Sequence, residues 1–313
     1  MATGTPSAEL EIDEPLVRAL LASQHPDLAD RALRWLDAGW DNAMWLLGDD
    51  LVVRLPRRQV AVELIVKEQS WLPRLVGRLP LPIPAPVRLG AASDRYPWPW
   101  SIVPWIPGEA ADLAAPEDSE ARTVADFLLA LHQPAPVDAP ANPLRGVPLQ
   151  NKASAGEKHL ENLRRKTPWI TPKIEGLWRE ALAAPVASGR HWLHGDLHSR
   201  NVLVAGGKIT GVIDWGDLTS GDVATDLVSV WMLFAKAEAR ADCLERYEPT
   251  ADQLARAKGW AIFFAAFLLD TGLVDHPRHA AMGSAIFERL EHDAEGSRTR
   301  WGSGRREDPQ GAP

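Results

Sequence analysis

Short apolar runs broken by turn residues fill the first third of the chain, and helical periodicity dominates the rest. Residues 1 to 12 read as frayed. Leu16, Leu20 and Leu21 then share one face of a short helix with Pro15 in its first turn, ending near His25 and Pro26. Ala32 to Leu36, Met44 to Leu47 and Leu51 to Leu55 form three strands of an antiparallel meander, interrupted at Gly39-Trp40-Asp41-Asn42 and at Gly48-Asp49-Asp50. Leu64, Ile65, Leu72 and Leu75 recur at helical spacing between Val60 and Val76. The proline-dense run from Leu79 to Pro86 is an extended connector, and Val87 to Leu89 and Trp100 to Trp105 resume the sheet. Pro104, Pro107 and Gly108 mark the change from β-rich to α-rich sequence. Helices are expected over 118 to 132 with a cap at Asp118 or Ser119, 153 to 166, 173 to 185, from Val223 behind a cap at Asp222, 250 to 271, and 278 to 293. Residues 134 to 150 read as loop and 296 to 313 as a disordered tail. The pattern predicts an α+β fold: a small antiparallel β lobe with one helix over residues 1 to 104, and a larger, mainly α lobe over 105 to 295.

The stretch from His191 to Gly216 carries the candidate chemistry. Val202 to Val204 form an apolar strand, Gly206 and Gly207 a turn, and Ile209, Val212 and Ile213 a returning strand. Asn201 and Asp214 lie almost symmetrically about that turn, so strand pairing brings an amide oxygen and a carboxylate to the open end of the hairpin. Those are donors that Mg²⁺ accepts alongside substrate phosphates. Asp196 precedes Asn201 in a polar loop, where a carboxylate can take the proton of an attacking hydroxyl. The Asp-x-x-x-x-Asn spacing alone is weak, but His194-Gly195 ahead of it and Asp214-Trp215-Gly216 behind make the combination specific. Taken singly, His194 reads as a core histidine. A metal-dependent hydrolase using His191, His194, Asp196 and His198 is the rival reading, and it leaves the hairpin and Asp214 without a purpose.

Other residues become candidates around that centre. Strand alternation puts Arg54 opposite Val53 and Leu55, where it supplies a fixed cation for a polyphosphate, and Glu68 in the following helix can pair with it; either alone is an ordinary surface charge. The turn holding Asp41 and Asn42 is placed to cover phosphates. The Pro104 carbonyl and the Ile106 main chain can read an adenine edge, with Val103 and Trp105 in apolar contact; Trp98 and Trp100 read as core, and His132 as structural. Asp217, Asp222 and Asp226 cluster near the metal pair and are candidates for holding ammonium groups of an acceptor, although capping or loop bracing outweighs that role for Asp222 and Asp226.

Composition narrows the class. The chain has 313 residues, 45% of them hydrophobic, enough for a large core. A net charge of -8 argues against a broad surface for nucleic acid or anionic membrane and is compatible with a cationic acceptor. Cys243 is the only cysteine, which rules out an intrachain disulfide and suits a reducing compartment. With no signal-peptide pattern at the start and an apolar run, Trp260 to Leu269, too short to cross a bilayer, the expectation is a cytoplasmic monomer or homodimer.

His194-Gly195-Asp196, Asn201 and Asp214-Trp215-Gly216 together resemble the aminoglycoside phosphotransferase family of small-molecule kinases, which share the protein-kinase-like bilobal fold. The resemblance covers roughly Leu33 to Leu290. It implies ATP or GTP as donor, Mg²⁺ as cofactor, Asp196 as catalytic base, Asn201 and Asp214 as metal ligands, Arg54 and Glu68 as the phosphate-clamping pair, and residues 103 to 106 as the hinge. The chain departs from the protein-kinase pattern in having no G-x-G-x-x-G loop near residue 40 and in carrying Arg54 where lysine is usual. An aminoglycoside-type antibiotic is the expected acceptor, with a macrolide, choline, homoserine or a sugar derivative as alternatives, and a nucleotide-binding pseudokinase as the non-enzymatic reading.

Overall fold

Five antiparallel strands and one long helix organise the two halves of the chain in the computed structural model, which describes residues 7 to 293. The tail expected over 296 to 313 lies outside the described residues. In the first half, α1 (Glu14–Gln24) is capped by Asp13, whose side chain accepts from the Leu16 N–H, and it precedes β1 (Leu33–Ala38), β2 (Asn42–Leu47) and β3 (Leu51–Pro56). Next come α2 (Val62–Trp71), β4 (Arg88–Gly90) and β5 (Trp100–Pro104), giving the sheet order β1-β2-β3-β5-β4. Val17, Leu20 and Leu21 of α1 pack against one face of the sheet, on Val53, Leu55, Trp98 and Trp100. On the other face Leu46, Val52 and Val103 form a small apolar cluster, which alternation places on the same side of β3 as Arg54. Part of the leading segment is not frayed: the Glu9 N–H donates to the Arg57 carbonyl, and Leu10 and Ile12 pack on the sheet core.

The second half begins with β6 (Glu109–Ala110), which pairs not with the sheet but with a hairpin further along. Then follow α3 (Ala121–Leu131), α4 (Ala153–Arg164), α5 (Pro172–Ala183), β7 (His191–Leu193), the hairpin strands β8 (Val202–Ala205) and β9 (Lys208–Val212), β10 (Thr219–Gly221), α6 (Ser229–Leu233), α7 (Ala237–Tyr247), α8 (Ala251–Asp275) and α9 (Pro277–His292). The cap expected for α3 is absent: 118 to 120 form a 3₁₀ turn, and Asp118 pairs with Lys236 instead. The helix expected from Val223 is a 3₁₀ segment to Val228 before α6. α8 runs further than its apolar centre suggested. A Thr250/Gln253 capping box starts it, and by length and composition it could cross a membrane, but 67% of its apolar window is buried among the other helices, with Trp260, Ala261 and Ile262 fully enclosed. Such burial is that of a core helix.

Candidate functional site

Two glycines with positive φ, Gly206 (56°) and Gly207 (78°), close the β8-β9 hairpin in the backbone conformation that a two-residue turn requires. An irregularity between Leu203 and Val204 then shifts the register, so that Asn201 faces Ile213: the Ile213 N–H donates to the Asn201 carbonyl at 2.9 Å. Asp214, the partner expected from symmetry about the turn, therefore lies one residue beyond the observed partner Ile213. It takes a left-handed backbone, φ 62°, an uncommon state for a residue with a Cβ, and its side chain is exposed.

The loop between β7 and β8 is held from within. The Asp196 N–H donates to His194 Nδ1 (3.2 Å), and His194 Nε2 lies 3.0 Å from the Ile213 carbonyl, which selects the Nε2–H tautomer. That ring packs on Trp215 and is wholly buried, so it joins the Asp196 loop to the Asp214 segment. Asn201 Nδ2 donates to the Asp196 carbonyl at 2.9 Å, leaving the amide oxygen of Asn201 for another partner. Gly195 has φ 85°, and a Cβ there would sit 2.4 Å from the Asp217 carbonyl oxygen, so only glycine passes at this crossing.

Asp226 provides the deepest support. It is fully buried and accepts from the His194 N–H (2.7 Å) and the Gly195 N–H (2.9 Å), with His132 Nε2 at 3.4 Å and Tyr247 Oη behind His132 at 2.7 Å. It has no face toward an acceptor, so its candidacy as a substrate contact gives way to that of a loop brace. Asp222 is likewise consumed, by Arg256 Nε at 2.6 Å in a buried pair. Replacing Asp226 with alanine strands two buried amides, and is expected to cost about 3 kcal/mol in urea unfolding. An unchanged midpoint would remove the brace.

Asp196 itself is part-buried, with Arg145 Nη2 2.7 Å from Oδ1 and His198 Nε2 3.3 Å from Oδ2. Burial on its own raises a carboxyl pKa, but the neighbouring His198, Arg145 and His194 outweigh it and hold this one well below the ordinary carboxylate range. Arg145 also approaches Asp217 Oδ2 (3.5 Å), whose other oxygen accepts from Asn142 Nδ2 (2.8 Å).

Across from this loop, Arg54 Nη1 donates to Glu68 Oε2 at 2.6 Å and Nη2 to Oε1 at 3.3 Å, in a buried, two-pronged pair unlike a solvated surface contact. Burial opposes the Arg54 charge, and Glu68, Asp214 and Asp41 more than compensate it. Asp41 is bonded to Arg58, and burial together with the nearby Asp214 raises its pKa; Asn42 begins β2 as a half-buried strand partner of Pro56, with its buried Oδ1 lacking a bond. At the end of β5 the Trp105 N–H is used by the Asp50 carbonyl (2.7 Å), while Val103 and Ile106 are buried and Trp105 is partly exposed.

Sequence reasoning missed two residues. Lys67 Nζ donates to the Gly216 carbonyl at 2.8 Å and ties α2 to the Asp214 segment. Arg145 comes from a loop with no periodicity, and nothing short of tertiary contact marks it out. Among the described residues no group of three or more His, Cys, Asp and Glu side chains is arranged to hold a metal, so His191, His194, Asp196 and His198 do not form the hydrolase centre considered above. The oxygen pair of Asn201 and Asp214 does fit a hard divalent cation that completes its shell with phosphates and water.

A β lobe on a helical lobe, with a carboxylate loop, an Asn and Asp at a hairpin mouth and a buried Arg–Glu pair opposite, defines a phosphoryl-transfer enzyme of the kinase-like class. The chain belongs to the Phosphotransferase enzyme family, whose sequence model matches residues 16–260. Among solved structures, the GDP complex of aminoglycoside 2'-phosphotransferase-IIIa has TM-score 0.64 at 20% identity, covering 90% of this chain and 100% of that one. Macrolide 2'-phosphotransferase MphH from Brachybacterium faecium has TM-score 0.56 at 22% identity, covering 90% and 100%. The streptomycin-ATP ternary complex of APH(2")-IIa has TM-score 0.57 at 21% identity, covering 85% and 91%. These likenesses establish the shared fold. A curated relative, the uncharacterized protein YcbJ of Bacillus subtilis (strain 168), is 26% identical over 150 residues, a match spanning 46% of this chain and 47% of that protein.

Proposed function

We propose that this phosphotransferase moves the terminal phosphoryl group of ATP or GTP onto a hydroxyl of a small molecule, with Asp196 as base and Asn201 and Asp214 as ligands of Mg²⁺. The observation that supports the reading is the bonded chain Asp196–Asn201–Ile213, which links the backbone of the Asp196 loop to Asn201 and to the residue before the exposed Asp214. The acceptor oxygen attacks the terminal phosphorus, the bond to the bridging oxygen breaks, the nucleoside diphosphate leaves with that electron pair, and the hydroxyl proton ends on Asp196. Mg²⁺, when bound, offsets phosphate charge. Arg54, aimed by Glu68, holds the donor phosphates from the opposite lobe. Val103 and Ile106 give the base an apolar seat, and the main chain at Pro104 and Ile106 reads its edge; the boundary between lobes is placed after Pro104, where β5 ends.

Of the acids that favoured an ammonium-bearing acceptor, Asp217 alone stays partly exposed, and it is bonded to Asn142 and Arg145. Antibiotics and metabolic alcohols therefore belong in one assay. Mass spectrometry after incubation with Mg²⁺ and ATP or GTP is expected to show an adduct of about 80 Da, one phosphoryl unit, on one acceptor class. A chain that binds nucleotide yet modifies no acceptor with either donor is a pseudokinase, and the proposal is then wrong.

A further inference from the structure

Arg145, the partner of Asp196, also lines a cavity of about 300 Å³, within the range of small-ligand sites. Val147, Pro148 and Val186 give it apolar walls, and Arg145 and Arg190 are among its lining residues. Its only acid, Asp222, is spent: Arg256 binds both of its oxygens, and the carboxylate also accepts from the Ala224 N–H. Arg190 is held by neutral oxygens, the Ser220 hydroxyl and the Ala139 carbonyl, so its charge is positioned without being cancelled by those contacts. Lys152 lies close enough for Arg145 to add to burial in lowering its pKa.

Nor is Arg145 a loose side chain. The Asn142 side chain turns the loop by accepting from the Leu144 and Arg145 N–H groups, the Gly146 carbonyl accepts from the Asp222 N–H, and the Arg145 guanidinium lies over the Phe264 ring. A Cβ on Gly195 would touch the Arg145 Cβ, so this residue is packed directly on the Asp196 loop. The corner thus holds two arginines, Arg145 paired with Asp196 and Asp217 and Arg190 held by neutral oxygens, in a chain whose overall charge is negative.

We propose that this cavity takes an anionic group, a carboxylate or a phosphate, carried by the acceptor near the hydroxyl that is phosphorylated. The inference rests on the kinase reading above. The acceptor's anion replaces Asp196 as the partner of Arg145, with Arg190 as the second contact, and that exchange frees Asp196 Oδ1 to receive the hydroxyl proton. Arg145 thereby couples recognition to exposure of the base. A polyamine acceptor gains nothing at Arg190, whose bonds to the Ser220 hydroxyl and the Ala139 carbonyl do not offset its charge.

The test is a set of hydroxycarboxylates of increasing chain length, their phosphate-ester counterparts and their uncharged primary amides, with kanamycin and a neutral polyol alongside. Binding to the Mg²⁺-nucleotide complex is read by ligand-detected NMR, and turnover by nucleoside diphosphate release. Acids or phosphates are expected to bind and to be preferred over the matched amides by about 10- to 100-fold in kcat/KM, the scale of a lost charge-assisted hydrogen bond. Arg190→Ala is expected to erase that preference chiefly through KM; Arg190→Lys is expected to restore part of it, which a merely structural role for Arg190 would not produce. Which anion prevails separates carboxylate from phosphate. Equal handling of acids and amides, stronger binding of kanamycin, or no anion binding at all overturns the inference. If phosphorylation occurs only on neutral or ammonium acceptors, the kinase reading survives without it; failure to bind Mg²⁺-nucleotide sinks that reading itself.

Discussion

Asp196→Ala is expected to lower kcat by about 10² to 10⁴, the usual contribution of a positioned general base. The side chain's two oxygens are already bonded, by Arg145 and His198, so loss of the carboxylate also releases those two groups. Asp196→Asn separates the effects, because the amide keeps the shape and cannot take the proton; it should fall nearly as far. The low carboxyl pKa has a signed consequence. A folded value below the ordinary one means that the ionised form, and the stability it gives, persists above the unfolded pKa and is lost only as pH falls through the folded value. Any loss of turnover between neutrality and pH 5 is therefore expected to come from another group. Unaltered turnover in both variants would reject Asp196 as base.

Asp214→Ala is expected to weaken Mg²⁺-dependent nucleotide binding by about 100-fold or more, since it removes the only charged member of the proposed ligand pair. Its backbone reinforces the point. A left-handed φ on a residue with a Cβ is strained by about 1 kcal/mol or more, and the fold keeps it through the neighbouring Ile213 and Gly216 bonds. Asp214→Gly relieves that strain while losing the carboxylate, so it should unfold no earlier than the native chain and still fail to bind Mg²⁺-nucleotide. Titration by calorimetry with and without Mg²⁺ measures both. A variant with native, Mg²⁺-dependent affinity would eliminate Asp214 as a ligand.

Much of this molecule was legible before any coordinates. Short apolar runs with glycine turns mark β1 to β3, and helical spacing marks α2, α4, α5 and α9, because local sterics and one-sided burial act within a few residues. The His194 to Gly216 stretch is itself local, a loop and hairpin whose candidate oxygens approach one another through short-range bonds. Its detail still escaped by one residue, since the turn pairs Ala205 with Lys208 and the irregularity at Leu203 and Val204 then brings Asn201 opposite Ile213, an offset with no signature in the side chains. End effects were less readable: Asp118 prefers Lys236 across the lobe to the cap position that its residue type suggests.

Charge was the least legible property. The acidity of the whole chain and the run Asp217, Asp222, Asp226 suggested a home for cations, yet Arg256 neutralises Asp222 from 34 residues away and Asp226 turns inward to backbone amides. Arg145 and Arg190, separated by 45 positions in the chain, meet at one cavity. Membership of a phosphoryl-transfer family and the identity of the candidate oxygens were determined by sequence alone, because those groups are neighbours along the backbone. Which carboxylates stay available, and what sign of charge an incoming molecule encounters, was decided only by tertiary packing: Coulomb interactions depend on distance and burial in space, and neither is encoded in separation along the chain.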